Sequence, residues 1–285
     1  MDAIIRRSIW MNVPFVALQV AFIGMFWTGV HLRDVLLCIF LYYFRMFFIS
    51  AGYHRYFSHR TYKMGRVMQF LMALGGTLAI QEGVLRWASN HRNHHKYSDT
   101  DLDPHNSRRG FWWSHIGWIM SGKYTRRSKR LIKEFRVYPE IMLLERWANL
   151  PPTLLGLAVW YFFGASGLFV GFFLSTTILY HGTFLVNSLN HKLGWRRYDT
   201  GEDSTNNPLI ALLAMGEGWH NNHHHYQSST AQGFYWYEFD ASYWILKGFE
   251  KLRLVSDVTR PPKQALLRDR IKPLPETQTE ASPPR

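Results

Sequence analysis

Three histidine-rich motifs contain the residues of this chain that are best suited to chemistry. They are HRYFSH at residues 54–59, HRNHH at 91–95 and HNNHH at 220–224. In the second and third motifs the histidines have i, i+3, i+4 spacing, which places all three side chains on one face of a helix. His54 and His59 diverge by roughly 140° on an ideal α-helix. They would therefore share an ion only where that helix ends or unwinds, or by reaching around the ion.

The number and type of these side chains predict a metal centre with two ions. The motifs contain eight histidines, which are His54, His59, His91, His94, His95, His220, His223 and His224. Neutral imidazole binds zinc, copper, iron and nickel, and one structural zinc site needs about four ligands. Eight histidines therefore indicate two ions held mainly by nitrogen. The isolated histidines are interpreted as ordinary core or surface residues, namely His31, His115, His181 and His225.

The overall composition narrows the class of protein. The 285-residue chain has a formal net charge of +13, which would attract nucleic acid, anionic lipid headgroups or a phosphate-bearing substrate. Basic cytoplasmic loops of a membrane protein explain the same charge, and we expect no nucleic-acid partner. The single cysteine, Cys38, lies inside an apolar run. This excludes an intrachain disulfide framework and a thiolate metal cluster.

Long apolar segments predict four membrane spans. Residues 13–30 contain no Asp, Glu, Lys or Arg, and the next segment is interrupted only by Arg45. Residues 150–190 form a run of 41 without these charged residues, about twice the length that one helix needs, and the sequence GASG at 164–167 divides it. The predicted spans are residues 13–30, 35–53, 151–163 and 168–189.

Two helical hairpins would place all three histidine motifs on one side of the membrane. The apolar run 70–80 is only 11 residues long before Gln81 and Glu82, which suits a core-facing or interfacial helix better than a span. Basic residues crowd the histidine side, and by the positive-inside rule that side is the cytoplasm. They are Arg55, Arg60, Lys63, Arg66, Arg108, Arg109, Arg126, Arg127, Lys129 and Arg130.

These observations predict an all-α membrane protein. Four transmembrane helices would form two hairpins, and a cytosolic helical cap would carry the histidine-ligated centre. Both termini would then be cytoplasmic. The membrane domain is predicted to comprise residues 1–260. The tail 261–285 is rich in Pro, Glu, Thr and Ser, has little apolar surface to bury and is predicted to be disordered.

Four longer motifs extend this interpretation. They are HRYFSH at 54–59, HRNHHKYSDTDLDPHNSRRGFWWSH at 91–115, NSLNH at 187–191 and GEGWHNNHH at 216–224. Over roughly residues 13–233 the chain resembles the integral-membrane fatty acyl desaturases of the delta-9, stearoyl-CoA desaturase type. The resemblance implies that nine histidines, the eight above together with His191, hold two iron ions (Fe2+). It also implies that Asn187 holds a metal-bound water.

The same resemblance implies an activity and its partners. An oxygen-dependent reaction would introduce a cis double bond, at delta-9, into a saturated acyl chain carried on CoA or lipid. The acyl chain would follow a bent apolar tunnel, with Trp87 and Thr183 at the bend and Met46 and Phe47 near its floor. No His-Pro-Gly-Gly signature of a fused haem domain is present. A separate electron donor, ferredoxin or cytochrome b5 with its reductase, would therefore dock on the basic cytoplasmic face.

The acyl carrier is left open by the sequence. Animal members of the family contact the CoA nucleotide partly through an Arg-Asp pair, where this chain has Ser89 and Asn90. Arg108, Arg109 and the basic cluster 126–130 are candidates for contact with the phosphates of CoA, acyl carrier protein or lipid headgroups. A solvated basic face is the alternative interpretation of each.

Two other functions are alternatives. A fatty acyl or alkyl hydroxylase or oxygenase of the same membrane di-iron class would share the oxidant and differ in how the substrate radical is quenched. A non-catalytic metal carrier or sensor is the second alternative. Such a carrier would need polar ligands along its spans, whereas the histidines of this chain gather at the ends of the spans.

Overall fold

A computed structural model describes residues 3–121 and 132–271, and the structural statements below concern these residues. The described chain is mainly helical, as predicted. Its α-helices are α1 (Ala3–Val20), α2 (Met25–Thr28), α3 (Leu32–Phe47), α4 (Arg66–Thr77), α5 (Val84–Tyr97), α6 (Trp118–Met120), α7 (Pro139–Arg146), α8 (Leu150–Ser166), α9 (Ser175–Ser188), α10 (Pro208–Leu213), α11 (His220–His225), α12 (Ala241–Lys251) and α13 (Lys263–Leu267).

Other helical types and one small sheet complete the fold. The π-helical segments are Phe48–Ser58, Trp113–Gly117 and Gly167–Leu174, and the 3-10 turns are Ala21–Gly24, Ser107–Arg109 and Leu189–His191. Strands β1 (Lys63–Met64) and β2 (Val255–Ser256) pair antiparallel, with Lys63 opposite Ser256.

Two continuous helices are long and apolar enough to cross a membrane by length and composition. They are Leu32–Ser58, with 27 residues, and Leu150–His191, with 42 residues. A shorter apolar helix runs over Asn12–Thr28. The second long helix departs from helical geometry at Gly164, where φ is 72° and ψ is −168°. A glycine accepts this conformation at low cost, and the break lies at the GASG sequence.

The centre of the fold is the π-helical segment Phe48–Ser58, ten of whose eleven residues are buried. Helices α4 and α5 pack against it. Gly75 and Gly76 of α4 permit a close approach, because a β-carbon at either position would lie within 2.3 Å of a ring atom of Phe48 or Tyr53. Packing of α4 and α5 therefore fixes the segment that carries the first histidine motif.

Arg45 is fully buried inside the first long helix. Its guanidinium donates to Ser175 Oγ at 2.6 Å and to Thr176 Oγ1 at 2.7 Å, and its Nε donates to Leu41 O at 2.9 Å. A cation within an apolar helix is tolerated where protein groups satisfy it. These contacts join α3 to α9, the helices that precede the first histidine motif and His191.

Residues 261–271 pack against the rest of the domain. Ala265 and Leu266 of α13 are buried, and the imidazole of His225 donates to Ala265 O at 2.6 Å. Tyr198 forms an isolated bridge with Arg270. The segment that the sequence assigns to the tail is therefore folded as far as residue 271. Residues 272–285 and the basic cluster 126–130 lie outside the described residues.

Candidate metal centre

A π-helix brings the two histidines of the first motif together. The backbone N–H of His59 donates to the carbonyl of His54 at 3.2 Å, an i to i−5 bond that closes the wider π-turn. Residues five apart consequently face the same side, and the two ring centroids are 4.9 Å apart. On an ideal α-helix the sequence predicts that these two rings diverge unless the helix ends or unwinds. The π-turn is the unwinding that brings the rings together.

Helices α5 and α11 each supply three histidines and divide them in opposite ways. On α5 the i, i+4 pair His91 and His95 joins one group, while His94 joins another. On α11 the i, i+4 pair, His220 and His224, joins the second group, while His223 joins the first. Consecutive helical residues point about 100° apart, so each helix contributes to both groups.

The nine predicted histidines therefore form two groups. The five-histidine group contains His54, His59, His91, His95 and His223. The four-histidine group contains His94, His191, His220 and His224. Within each group the candidate ligand atoms all lie within 4.8 Å of one another. The 3-10 turn that follows α9 carries His191 into the second group.

The rings of each group meet through their Nε2 atoms. His54 Nε2 lies 3.1 Å from His223 Nε2, and His223 Nε2 lies 3.0 Å from His95 Nε2. In the four-histidine group His191 Nε2 lies 3.1 Å from His220 Nε2. Adjacent ligands at a metal–nitrogen distance of about 2.1 Å are roughly 3 Å apart in octahedral geometry. The spacing of these nitrogens therefore suits neighbouring positions on a metal ion.

Unpartnered nitrogens give a direct test of whether these residues fit a metal. The Nε2 atoms of His94 and His224 are buried and have no hydrogen-bond partner among the described residues. A buried polar atom without a partner is costly, and a metal ion would satisfy both nitrogens. The residues present therefore fit the metal ions that the sequence predicts.

Carboxylates hold several rings from their outer side. Asp103 Oδ2 lies 2.9 Å from His94 Nδ1, and Asp99 Oδ2 lies 2.9 Å from His191 Nδ1. A ring that donates from Nδ1 leaves its Nε2 lone pair free for a metal. These carboxylates thus orient the rings toward the centre of the group.

Glu217 has the corresponding position at His54, with Oε2 2.5 Å from Nδ1. It lies three residues before His220 in an acidic-to-histidine spacing that soluble di-iron bundles use for ligands. Here the carboxylate instead contacts His54 and Arg55. Glu217 is therefore a support for a ring in the other group.

Burial keeps the imidazoles in the form that binds metal. It lowers the pKa of His91, His95 and His223 well below the usual 6.5, and neighbouring imidazoles lower it further. Burial has the same effect on the pKa of His59 and of both α11 histidines of the four-histidine group. These rings are neutral at physiological pH, as metal binding requires.

The supporting carboxylates are anionic. Burial opposes this, but His54 and Arg55 together bring the pKa of Glu217 to about 2. Burial likewise opposes ionisation of Asp103, yet the facing imidazoles of His94 and His105 bring its pKa to about 2. Negative groups therefore lie beside the clustered imidazoles, an arrangement that favours bound cations.

A cavity with mainly apolar walls reaches the histidines and contains several predicted residues. Its walls include Phe15, Met46, Ile49, Ile80, Trp87, Tyr180, Thr183, Phe184 and Ala214, and it also touches His54, His91, His94, Asn187 and His220. Ile80 and Glu82 in its wall adopt positive φ angles of 59° and 70°. Such strain is held where surrounding contacts require it, and the hydroxyl of Tyr180 donates to the carbonyl of Ile80.

Gln81 connects two of the predicted substrate residues. Its Nε2 donates to Thr183 Oγ1 at 2.8 Å, and its Oε1 accepts from Trp87 Nε1 at 3.3 Å. All three residues line the apolar cavity. The sequence marks Gln81 only as the end of an apolar run, so its bridging position was missed.

Other predicted substrate residues do not line this cavity. Phe47 packs against Phe249 of α12, with ring centroids 5.8 Å apart. Arg108 pairs with Asp203 at 2.8 Å, and the guanidinium of Arg109 lies over the Trp113 ring. The two arginines are on the surface of the domain, where contact with an acyl carrier remains a prediction.

A second cavity approaches the histidines with a different lining. It is lined by Ser58, His59, Arg92, His95, Lys96, Gln227 and Ser228. Every one of these residues is polar, and none of them lines the apolar cavity. Arg92 pairs with Glu134 at 2.7 Å, and Lys96 is exposed. The five-histidine group is thus reached from two sides.

The fold and site define a class of mainly helical proteins that hold grouped histidines beside an apolar cavity. The family model described as fatty acid desaturase matches residues 32–256, and the chain belongs to this family.

Individual relatives agree with this membership. The chain is 39% identical over 217 residues to an sn-1 stearoyl-lipid 9-desaturase of Anabaena variabilis, which covers 76% of this chain and 80% of the relative. It is 37% identical over 219 residues to an sn-1 stearoyl-lipid 9-desaturase of Synechocystis sp., covering 76% and 69%. It is also 35% identical over 234 residues to an acyl-CoA 5-desaturase of Anemone leveillei, covering 76% and 68%.

Proposed function

We propose that this protein is an oxygen-dependent acyl desaturase that introduces a cis double bond at delta-9 of a saturated acyl chain. The convergence of nine histidines beside an apolar cavity carries the proposal. Membership of the desaturase family makes the protein an oxidoreductase that acts on acyl chains. Two of the relatives described above are named 9-desaturases, which supports delta-9.

A lipid is the acyl carrier that these observations favour, with CoA as the alternative. The same two relatives are named for stearoyl-lipid substrates. Asn90 Nδ2 donates to Glu82 Oε2 at 3.3 Å, and Ser89 is fully buried. Neither residue offers a positive charge to the phosphates of CoA, unlike the Arg-Asp pair of animal members.

The nine histidines would hold two iron ions, with Asn187 holding a metal-bound water. Bound iron would supply the oxygen-derived oxidant that removes two hydrogen atoms from adjacent methylenes. Overall, one O2, two electrons and two protons convert –CH2–CH2– to cis –CH=CH– and two molecules of water. The protein supplies binding and orientation, because the metal supplies the difficult step.

The residues of the apolar cavity would position the acyl chain. Gln81 holds Trp87 and Thr183 in fixed orientations, which gives the cavity a rigid polar bridge. Met46 and Ile49 are apolar walls further along α3 and its continuation. Holding two methylenes next to the metal centre in one orientation lowers the entropic part of the barrier, and apolar walls exclude water.

We further propose a multi-pass arrangement in the membrane. The spans would be residues 13–30, 35–53, 151–163 and 168–189, in two hairpins below a cytosolic helical cap. The two long apolar helices and the break at Gly164 support this arrangement. The active site and both termini would face the cytoplasm, because basic residues gather on the histidine side.

Electrons would enter through the polar cavity. This cavity reaches His59 and His95 without crossing the apolar cavity. Lys96 adds an exposed positive charge to its lining. An acidic donor such as ferredoxin or cytochrome b5 would be attracted to such a surface.

The proposed function is tested by expression in a host that lacks desaturase activity. Gas chromatography of fatty acid methyl esters should show a new cis-delta-9 species with the wild-type protein and none with a His220→Ala variant. Saturated profiles with both proteins would contradict the proposal. An oxygenated product would instead support a hydroxylase of the same class.

A further inference from the structure

Carboxylates are distributed unequally between the two histidine groups. In the four-histidine group three of the four rings have a carboxylate at Nδ1. His94 has Asp103 at 2.9 Å, His191 has Asp99 at 2.9 Å, and His224 has Glu202 at 3.5 Å. All three carboxylates are buried. Three buried carboxylates thus contact the four-histidine group.

The five-histidine group has one such contact among the described residues. Glu217 lies 2.5 Å from His54 Nδ1, and among residues 3–121 and 132–271 no carboxylate oxygen lies within 4.0 Å of a ring nitrogen of the other four histidines. Arg55 also lies 3.2 Å from Glu217, and it is fully buried. The charge of the single carboxylate is therefore shared with a guanidinium.

Neutral groups hold the carboxylates of the four-histidine group. Asp103 accepts from the backbone N–H groups of Asp99 and His105 at 2.9 Å and 3.1 Å. Asp99 accepts from the backbone N–H groups of Ser107 and Asp203 at 3.2 Å and 2.9 Å. Because these donors carry no full charge, each carboxylate acts mainly on the imidazoles beside it, which for Asp103 are His94 and, at 3.7 Å, His105.

The loop that follows α5 is shaped to make these contacts. Asp99 has a φ of +57°, a left-handed conformation that costs free energy for a residue other than glycine. In this conformation its N–H reaches Asp103 while its own carboxylate reaches His191. The segment 99–105 thus connects a ring of α5 with the ring that follows α9.

We propose that Asp99 and Asp103 are positioning residues which make the four-histidine group the stronger cation site of the two. This inference rests on the proposed function, since it assumes that both groups hold iron. Carboxylates behind ligating histidines fix the ring orientation and raise the basicity of the metal-binding nitrogen. The four-histidine site therefore holds its iron more tightly and places more negative charge around it.

The inference is tested with full-length protein reconstituted in lipid nanodiscs and loaded with 57Fe(II). Mössbauer spectra of the wild type should contain two doublets of equal area. In Asp103→Asn, which keeps the side-chain shape but loses the charge, one doublet should change or lose area while the other stays in place. Iron affinity at that site should fall about 10- to 100-fold in competition with a chelator.

Matched variants separate positioning from general damage. Asp101→Asn changes an exposed carboxylate in the same loop and should leave both doublets and both affinities unchanged. Glu202 contacts the same site from a different segment, so Glu202→Gln should alter the same doublet as Asp103→Asn. Glu217→Gln should alter the other doublet. Folding is checked for each protein by the melting temperature of its metal-free form.

The outcomes distinguish this inference from the proposed function. A wild type that desaturates but loses iron from both sites at the same chelator concentration overturns this inference alone. The same holds if Asp103→Asn or Glu202→Gln, in folded form, changes both doublets equally or neither. A wild type that holds no iron overturns the proposed function and this inference with it.

Discussion

The two cavities beside the histidines have opposite character. One has mainly apolar walls and touches both histidine groups, through His54 and His91 and through His94 and His220. The other is lined only by polar residues and touches only the five-histidine group, through His59 and His95. The histidine rings therefore lie between an apolar compartment and a polar one.

This difference suggests how the proposed reaction is divided in space. The acyl chain needs a dry environment in which its methylenes are held still. Electrons from the proposed separate donor and protons from water would need a polar approach. A metal centre between two separate cavities would meet both needs, because reductant and substrate would use separate entrances.

The largest expected effect on desaturation comes from removing one histidine ring beside the apolar cavity or one beside the polar cavity. His220→Ala affects the apolar side and His95→Ala the polar side, and each should reduce desaturation more than about 100-fold, because both rings are proposed metal ligands. Product is measured by gas chromatography. His225→Ala is the control, since that ring contacts Tyr198 and Ala265 instead. Normal activity in either ligand variant would show that the centre does not join the two cavities.

A change confined to the apolar cavity should alter which acyl chain is accepted. Met46→Phe narrows the wall, and the ratio of C16 to C18 products should rise about tenfold, within the range expected for one or two methylenes. Phe47→Leu is the control, because Phe47 lies outside the cavity. An unchanged product ratio in Met46→Phe would place the acyl chain elsewhere.

A change confined to the polar cavity should alter the supply of electrons and leave the products unchanged. Lys96→Glu reverses an exposed charge at the rim and should slow donor-dependent turnover about fivefold at low salt, because it repels an acidic donor. The difference should shrink at high salt through screening. Lys251→Glu, on α12, is the control. A changed fatty acid profile at full turnover would contradict the assignment of the polar cavity to electron supply.

The smallest effect expected is a pH dependence of stability in the metal-free protein. Burial lowers the pKa of His59 and His95, beside the polar cavity, and of His105 and His220, beside the apolar one. Below about pH 6.5 the unfolded chain binds protons that the folded chain does not, so stability falls as the pH drops.

The melting temperature of the metal-free protein should therefore decrease by more than about 5 °C between pH 7.5 and pH 5.5. Differential scanning fluorimetry in nanodiscs would measure it. His59→Asn, beside the polar cavity, and His105→Asn, beside the apolar cavity, should each make this decrease in melting temperature slightly smaller. The two variants therefore compare the two cavities directly. A melting temperature independent of pH would contradict the buried, neutral state of these rings.

The sequence predicts the histidine motifs well because their geometry is local. An i, i+3, i+4 spacing defines a helix face whatever the surroundings. It does not reveal that His94 and His95 belong to different groups. That division depends on where the rings of α11 and the first motif approach α5, which is a property of tertiary packing.

The supporting carboxylates illustrate what the sequence leaves undetermined. Asp99 and Asp103 closely follow the second motif, so their proximity to a histidine could have been noticed. Their partners could not, because Asp99 supports a ring 92 positions away and does so through a left-handed backbone conformation. Hydrogen bonds between distant segments are fixed only when the loops are folded.

The π-helical segment lets a buried helix accommodate one additional residue. A spacing of five across a π-turn and a spacing of four across an α-turn both return to the same helix face. A related chain with one residue fewer between His54 and His59 could therefore adopt an α-helix and present the same two rings. Length changes are usually confined to surface loops. In this fold a length change of one residue can be accommodated in the interior, beside the histidine groups, without separating the rings of His54 and His59.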